Sequence, residues 1–180
     1  MKKFLDSSID EKQISIKNSE EYINYIRQAY IYWKENSQDK DTWTWAIIVK
    51  DWKILSKWTN KLANGIQITE DKLERPKKYS YLDHAERNSI YYAAKNWIAL
   101  EWSTMFMPWV PCSPCAIAII NSWITKLVMH YSKIIKTPSD WLSDVQDATN
   151  MLIEAWIELE IITTDIGQCE AKFRGEIWYP

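Results

Sequence analysis

The chain has 180 residues, 47% of them hydrophobic and 26% charged, with a formal net charge of −2. That length suits one domain with a sizeable core, and the acidic balance disfavours a surface built to grip a long nucleic acid, since such surfaces are basic. Three cysteines, an odd number with two spaced C-x-x-C, suit a reducing compartment and a metal site better than a disulfide framework.

Residues 1–18 read as a polar lead-in. Met1-Lys2-Lys3-Phe4-Leu5-Asp6 turns polar at once, without the apolar core of a signal peptide, and no apolar run elsewhere could span a bilayer. A cytoplasmic chain with no membrane partner is the expectation. From Ser19, the spacing of Tyr22, Ile26, Ala29, Tyr30 and Trp33 predicts a helix. Thr44–Val49 and Lys53–Trp58 read as a strand hairpin, and residues 59–80 as a long polar loop carrying Lys61, Lys72, Arg75, Lys77 and Lys78. Asp83 is placed to cap a helix from about His84 to Lys95. Thr104–Met107 is a short strand, Ser113-Pro114 opens a helix to about Asn121, and Lys126–His130 is the next strand. That order implies a right-handed parallel crossover. A helix through Val145, Ala148, Met151, Leu152 and Ala155 and a strand over Glu158–Thr163 follow. The whole is expected to be one domain over 1–180, with its core in about 19–163 and a tail in 164–180.

Tryptophan is abnormal: 12 Trp stand beside only 3 Gly, where glycine is ordinarily about 7% of residues. Several sit where turn chemistry asks for glycine. Asp51-Trp52 falls where Asp-Gly would close a hairpin; Trp97 and Trp156 end helical patterns where glycine is the preferred cap. Trp102 and Trp123 lie at element boundaries too. The expectation is that many of these residues, Trp58 included, are glycines in the living protein, from a UGA codon that the cell reads as glycine; the alternative is a merely tryptophan-rich protein.

The chemistry-bearing pattern is His84-Ala85-Glu86 with Pro111-Cys112-Ser113-Pro114-Cys115. One histidine and two cysteines give three ligands to a zinc ion and leave its fourth tetrahedral position open to water. Glu86, within the same turn as His84, can carry that water's proton. All three ligands fall at helix N-termini, whose dipole favours thiolate over thiol. A closed structural zinc site would need a fourth protein ligand. The candidates, His130 and Cys169, belong to no ligand pair; His130 reads as a core or rim residue and Cys169 as a plain thiol.

With these residues placed, the chain resembles the zinc-dependent cytidine and deoxycytidylate deaminase superfamily, most closely its dCMP deaminase branch. The resemblance spans roughly residues 29–161 and rests on Ala46-Ile47-Ile48-Val49-Lys50-Asp51, His84-Ala85-Glu86-Arg87-Asn88 and Pro111-Cys112-Ser113-Pro114-Cys115-Ala116 with Ile119-Ile120. It implies a three-layer α/β/α fold around a mixed five-stranded sheet, assembly as homo-oligomers, Zn2+ on His84, Cys112 and Cys115, and Glu86 as catalytic proton shuttle. It implies a substrate contact from Asn60 and a Val110 carbonyl near the exocyclic amine. The reaction implied is hydrolytic deamination of a small-molecule nucleotide, dCMP to dUMP with release of ammonia, within pyrimidine metabolism. Rivals are a free-base or nucleoside deaminase, a tRNA adenosine deaminase, which the lack of a basic stripe disfavours, and an inactive zinc-binding module. The chain departs from the family, whose members usually carry glycine there, at Trp45, Trp52, Trp58 and Trp123, and at Met107-Pro108-Trp109-Val110, where Trp109 either stacks on a base or packs. If Trp58 is a true tryptophan, its ring beside Asn60 is expected to narrow the pocket.

Overall fold

Alternation along the strands decides the architecture. A computed structural model of the chain describes residues 14–180, so the start at Met1-Lys2-Lys3 lies outside the described residues. Strand β1 (Ile14–Ile16) precedes helix α1 (Glu20–Asn36), whose N-cap Ser19 accepts the Tyr22 N–H as the sequence predicts. Strands β2 (Trp45–Lys50) and β3 (Lys53–Thr59) form the expected antiparallel hairpin. Then come β4 (Lys61–Leu62), α2 (Glu70–Leu73), α3 (Lys78–Tyr81), β5 (Leu82–Asp83) and α4 (Ala85–Lys95). The second half runs β6 (Thr104–Phe106), α5 (Ser113–Asn121), β7 (Lys126–His130), α6 (Tyr131–Ile134), α7 (Leu142–Glu154), β8 (Glu158–Ile162), β9 (Ala171–Phe173) and β10 (Glu176–Trp178).

The main sheet has the order β1-β8-β7-β6-β2-β3. Four strands are parallel, β1 to β8 to β7 to β6, while β2 runs antiparallel to both β6 and β3. Successive side chains point to opposite faces of a strand, and both faces are apolar. Ala46, Ile48, Met105, Leu127, Met129, Leu159 and Ile161 face one core, which Ala85, Ala93, Ala116, Ile119, Ala148 and Leu152 of α4, α5 and α7 close. Trp45, Ile47, Val49, Phe106, Val128 and Ile162 face the other, closed by Ile26, Ala29, Tyr30 and Trp33 of α1 and by Ala171 of the tail. The result is a three-layer α/β/α fold with a mixed sheet.

The sheet has six strands, not the five that the resemblance implies. The extra strand, β1, comes from the stretch read as a lead-in. It pairs with β8 in the register Ile14↔Leu159 and Ile16↔Ile161, and Lys17 N–H continues the ladder to the Ile161 carbonyl. Only Ile14 packs against the core, while Ile16 is exposed, so this edge strand has no buried face to show as a pattern. The 59–80 loop is likewise more ordered than its polarity suggests. Strands β4 and β5 pair, and Leu62, Leu73 and Leu82 form a small core beneath them. The tail is a β9–β10 hairpin. Among the described residues no helix is long and apolar enough to cross a membrane.

Candidate active site

Helices α4 and α5 pack side by side on one face of the sheet and bring their N-termini together. His84 is the N-cap residue of α4 and Cys112 that of α5, with Pro114 in the first turn of α5 and Cys115 beside it. Asp83, expected as the α4 cap, stands one residue upstream. Its Oδ1 accepts the His84 N–H at 2.9 Å, and the Ala85 N–H goes instead to Asn60 Oδ1 at 3.0 Å. Asn60, buried at the end of β3, thus ties the hairpin to the first turn that carries His84 and Glu86.

The three expected ligands meet. Cys112 Sγ lies 3.4 Å and Cys115 Sγ 3.5 Å from His84 Nδ1, and the three donor atoms fall within 4.8 Å of one another. With Zn–S near 2.3 Å and Zn–N near 2.0–2.1 Å, a tetrahedral site sets S···N at about 3.6 Å. The spacing and the donor set, two soft thiols and an imidazole, fit zinc. A hydrogen bond from Cys115 holds the Cys112 thiol down at about 4 against its burial, with His84 adding to the pull. Cys115 is pushed upward by the same bond and by burial. Burial pulls His84 down, but its bond to Cys112 and the charges of Glu86 and Cys112 outweigh it, so the imidazole is raised.

Glu86 is only 4% exposed, and its Oε2 has no hydrogen-bond partner. A buried carboxylate oxygen without a donor is costly, which marks this atom as placed for something other than folding. Burial raises its pKa, with Cys112 adding and His84 opposing. Arg87, within the His84–Asn88 motif, carries no signal in the sequence that marks it as functional. Its Nε donates to Asp83 Oδ1 at 2.6 Å and its Nη1 to Cys115 Sγ at 3.2 Å and Cys112 Sγ at 4.0 Å. It sets one positive charge against both sulfurs.

Above the cluster opens a cavity of about 320 Å³. His84, Glu86 and Cys112 line it with Asn60, Thr44 and Leu82, and Trp109, Val110, Trp141 and Val145 line it too. Trp109 packs as well as lines: it donates Nε1–H to Thr137 Oγ1 at 2.7 Å and sits edge-on to Phe173 at 4.8 Å. Trp58 does not narrow the pocket. It is not among the lining residues; its ring lies 5.4 Å from that of Tyr92 on α4. Of the five loop cations only Arg75 and Lys78 reach the cavity. Lys78 is buried and already paired with Asp39 at 2.9 Å and Asp41 at 3.3 Å. Asp140 and Asp144 line the cavity too.

His130 and Cys169 stay out of the cluster. His130 is buried on the α1 side, 3.2 Å from Tyr30 Oη, and burial lowers it to about 4. Cys169 is a buried thiol that burial pushes up to about 11. Lys133 is a second residue that the sequence did not single out: fully buried, with Nζ unpartnered, over the rings of Trp109, Phe173 and Trp178.

The MafB19-like deaminase family model matches residues 20–158, which include the cluster and both helices. The chain belongs to the MafB19-like deaminase family. A deaminase of the luxG 3′ region of Aliivibrio fischeri is 30% identical over 130 residues, 72% of this chain and 86% of that protein. The deoxycytidylate deaminase of phage T2 is 49% identical, but over 45 residues, 25% of this chain and 24% of the phage enzyme. Among solved structures, the dCMP deaminase of cyanophage S-TIM5, in complex with dCMP and dUMP, superposes with a TM-score of 0.62 at 22% identity. That match covers 81% of this chain and 98% of the phage chain, and it shows a shared fold. As a MafB19-like deaminase with this fold, the chain is a deaminase built on the cytidine deaminase-like plan.

Proposed function

We propose that this deaminase is zinc-dependent and converts dCMP to dUMP with release of ammonia. The observation that carries the reading is the His84–Cys112–Cys115 cluster, of which His84 and Cys112 line the cavity, together with Glu86, which lines it too and whose Oε2 has no hydrogen-bond partner. His84, Cys112 and Cys115 would hold the metal, which when bound supplies an acidified water and electrophilic pull. Glu86 takes a proton from the attacking water and delivers it to the ring nitrogen. It then takes the proton of the new hydroxyl and gives it to the amine, which leaves as ammonia as the carbon–nitrogen bond breaks and the ring carbonyl forms. Burial raises its carboxyl above the ordinary carboxylate range, the direction that suits a group which takes up a proton and passes it on. With the metal bound both sulfurs would be thiolates, and Arg87 sets its charge and N–H groups against them. Asn60 presents a polar edge to the sugar or base, Val110 its backbone to the amine, and Trp109 a flat wall for the ring.

Arg75, a partly exposed cation of the cavity lining, favours a phosphorylated substrate. A specific observation supports a second reading. The Lys78 charge is spent on Asp39 and Asp41, and Asp140 and Asp144 add negative charge to the lining, which suits an uncharged nucleoside or base. We further propose a cytoplasmic setting, from the free cysteines, a homo-oligomeric state, by likeness to the family, and a place in pyrimidine nucleotide metabolism. An ammonia-release panel of dCMP, CMP, deoxycytidine, cytidine, cytosine and guanine with zinc-supplemented protein tests the substrate. Fastest turnover is expected on dCMP. Turnover of deoxycytidine or cytosine without dCMP selects the second reading, and zinc binding with no turnover at all selects an inactive module.

A further inference from the structure

Eight non-glycine residues among those described have left-handed backbone, and five of them are tryptophan: Trp52 (φ 63°), Trp97 (58°), Trp102 (61°), Trp123 (60°) and Trp156 (61°). For an L-residue with a bulky side chain this region is strained, and it is occupied routinely only by glycine. Each of the five stands in a turn with its own reason to ask for glycine. Three follow helix C-termini, as Asn96-Trp97-Ile98 after α4, Ser122-Trp123-Ile124 after α5 and Ala155-Trp156-Ile157 after α7. At α4 the Ile98 N–H reaches back to the Ala93 carbonyl at 2.9 Å and the Trp97 N–H to Ala94 at 3.3 Å. At α7 the Ile157 N–H reaches Leu152 at 2.9 Å and the Trp156 N–H reaches Ile153 at 3.0 Å. These paired bonds make the Schellman ending, whose left-handed residue is usually glycine and whose next residue is apolar; Ile157 is buried in that role. At α5 the Trp123 N–H reaches the Ile120 carbonyl at 3.1 Å, and the apolar residue that follows, Ile124, is buried. Trp102 is the third residue of a turn closed by Ser103 N–H to the Leu100 carbonyl at 3.1 Å, and positive φ at that position calls for glycine. Trp52 follows Asp51 (φ 48°) at the tip of the β2–β3 hairpin, the place of Asp-Gly in a type I′ turn.

Nothing offsets the strain. The five indoles are 61%, 95%, 71%, 66% and 82% exposed, in chain order. Trp97, Trp123 and Trp156 close the same ends of neighbouring helices, and the Trp102 N–H meets the Trp123 carbonyl at 3.0 Å. An apolar surface of this kind ordinarily marks a partner. A partner, however, selects side chains; it does not select glycine-only backbone in three kinds of turn. Tryptophans with ordinary φ behave otherwise: Trp33, Trp43, Trp109, Trp141 and Trp178 all pack in aromatic groups.

We infer that residues 52, 97, 102, 123 and 156 are glycine in the protein that the source cell makes, their codon being UGA read as glycine, and that Trp109 is a true tryptophan. Trp45 and Trp58 lie in strands without left-handed backbone, so the geometry does not extend to them. None of the five lines the cavity, so the substitution leaves the site intact.

The tryptic peptide spanning residues 96–126, with no internal Lys or Arg before Lys126, contains positions 97, 102, 109 and 123. Sequenced by mass spectrometry from protein purified out of the source organism, it should carry glycine at 97, 102 and 123 and tryptophan at 109. Tryptophan at 97, 102 and 123 overturns the inference. A second readout uses recombinant protein: Trp97→Gly, Trp123→Gly and Trp156→Gly should each raise Tm by about 2–4 °C. Glycine in ordinary helical backbone does the opposite, so an unchanged or lowered Tm at all three contradicts it.

Discussion

Lys133→Met is expected to stabilise the fold at neutral pH and to lose most of that advantage in alkali. The Lys133 side chain is fully buried and its Nζ has no hydrogen-bond partner. Its neighbours are the faces of Trp109 at 4.6 Å, Phe173 at 4.7 Å and Trp178 at 5.5 Å. Burial, helped by Lys136, pulls the ammonium from 10.5 down to about 7. A pKa lowered on folding means that the unfolded chain holds the proton more tightly, so this group's contribution improves as pH rises from about 7 to 10.5. At 1.36 kcal/mol per unit, the buried amine costs about 4 kcal/mol at pH ~7 and about 1.5 kcal/mol at pH ~9.5. The aromatic faces act in the opposite sense, each holding a cation by about 0.5–2 kcal/mol. Methionine fills the same slot without charge. Urea melts of both proteins at the two pH values give the gap in stability at each. It should favour the variant at neutral pH and narrow by roughly 2–3 kcal/mol in alkali. A gap that does not move with pH refutes the reasoning: the three rings would then be holding Lys133 charged throughout.

Three further outcomes are expected. Glu86→Gln keeps the metal ligands and loses the proton carrier, so zinc content by elemental analysis should persist while ammonia release falls about 10²–10⁴-fold; near-normal turnover removes Glu86 from the mechanism. Arg87→Met deletes a charged donor at 3.2 Å from Cys115 Sγ, worth about 1.5–3 kcal/mol; zinc retention against a competing chelator should weaken about 10–100-fold, and unchanged retention counts against its role. Asn60→Asp keeps an acceptor for the Ala85 N–H and loses the amide donor, so Tm should hold within about 2 °C while KM rises; a fallen Tm with unchanged KM makes Asn60 a structural residue only.

The parts of the site that the sequence shows are those whose parts are neighbours in the chain. His84 and Glu86 share a turn, as do Cys112 and Cys115, and the helix signals around them predict the ends that converge. The β2–β3 hairpin is legible because β2, buried on both faces, is a short continuous apolar run rich in β-branched residues, and Asp51-Trp52 follows it where a tight turn is called for. Strand β1 is illegible because its only core contact is Ile14. The order in the 59–80 loop depends on Lys78 finding Asp39 and Asp41 across a long stretch of chain, which no local pattern records. Lys133 meets Trp109, Phe173 and Trp178 only after the tail hairpin folds back. Asn60 stands out by position, but its bond to the Ala85 N–H is set by the packing of β3 on α4.

Turnover is proposed to depend on a zinc ion held by His84, Cys112 and Cys115. The most direct measurement is the initial rate of ammonia release from dCMP by protein stripped with a chelator and then titrated with zinc. The account predicts no turnover after stripping and full recovery at one zinc per chain, with no recovery in a Cys115→Ser variant. Turnover that survives stripping, or full recovery in that variant, would contradict it.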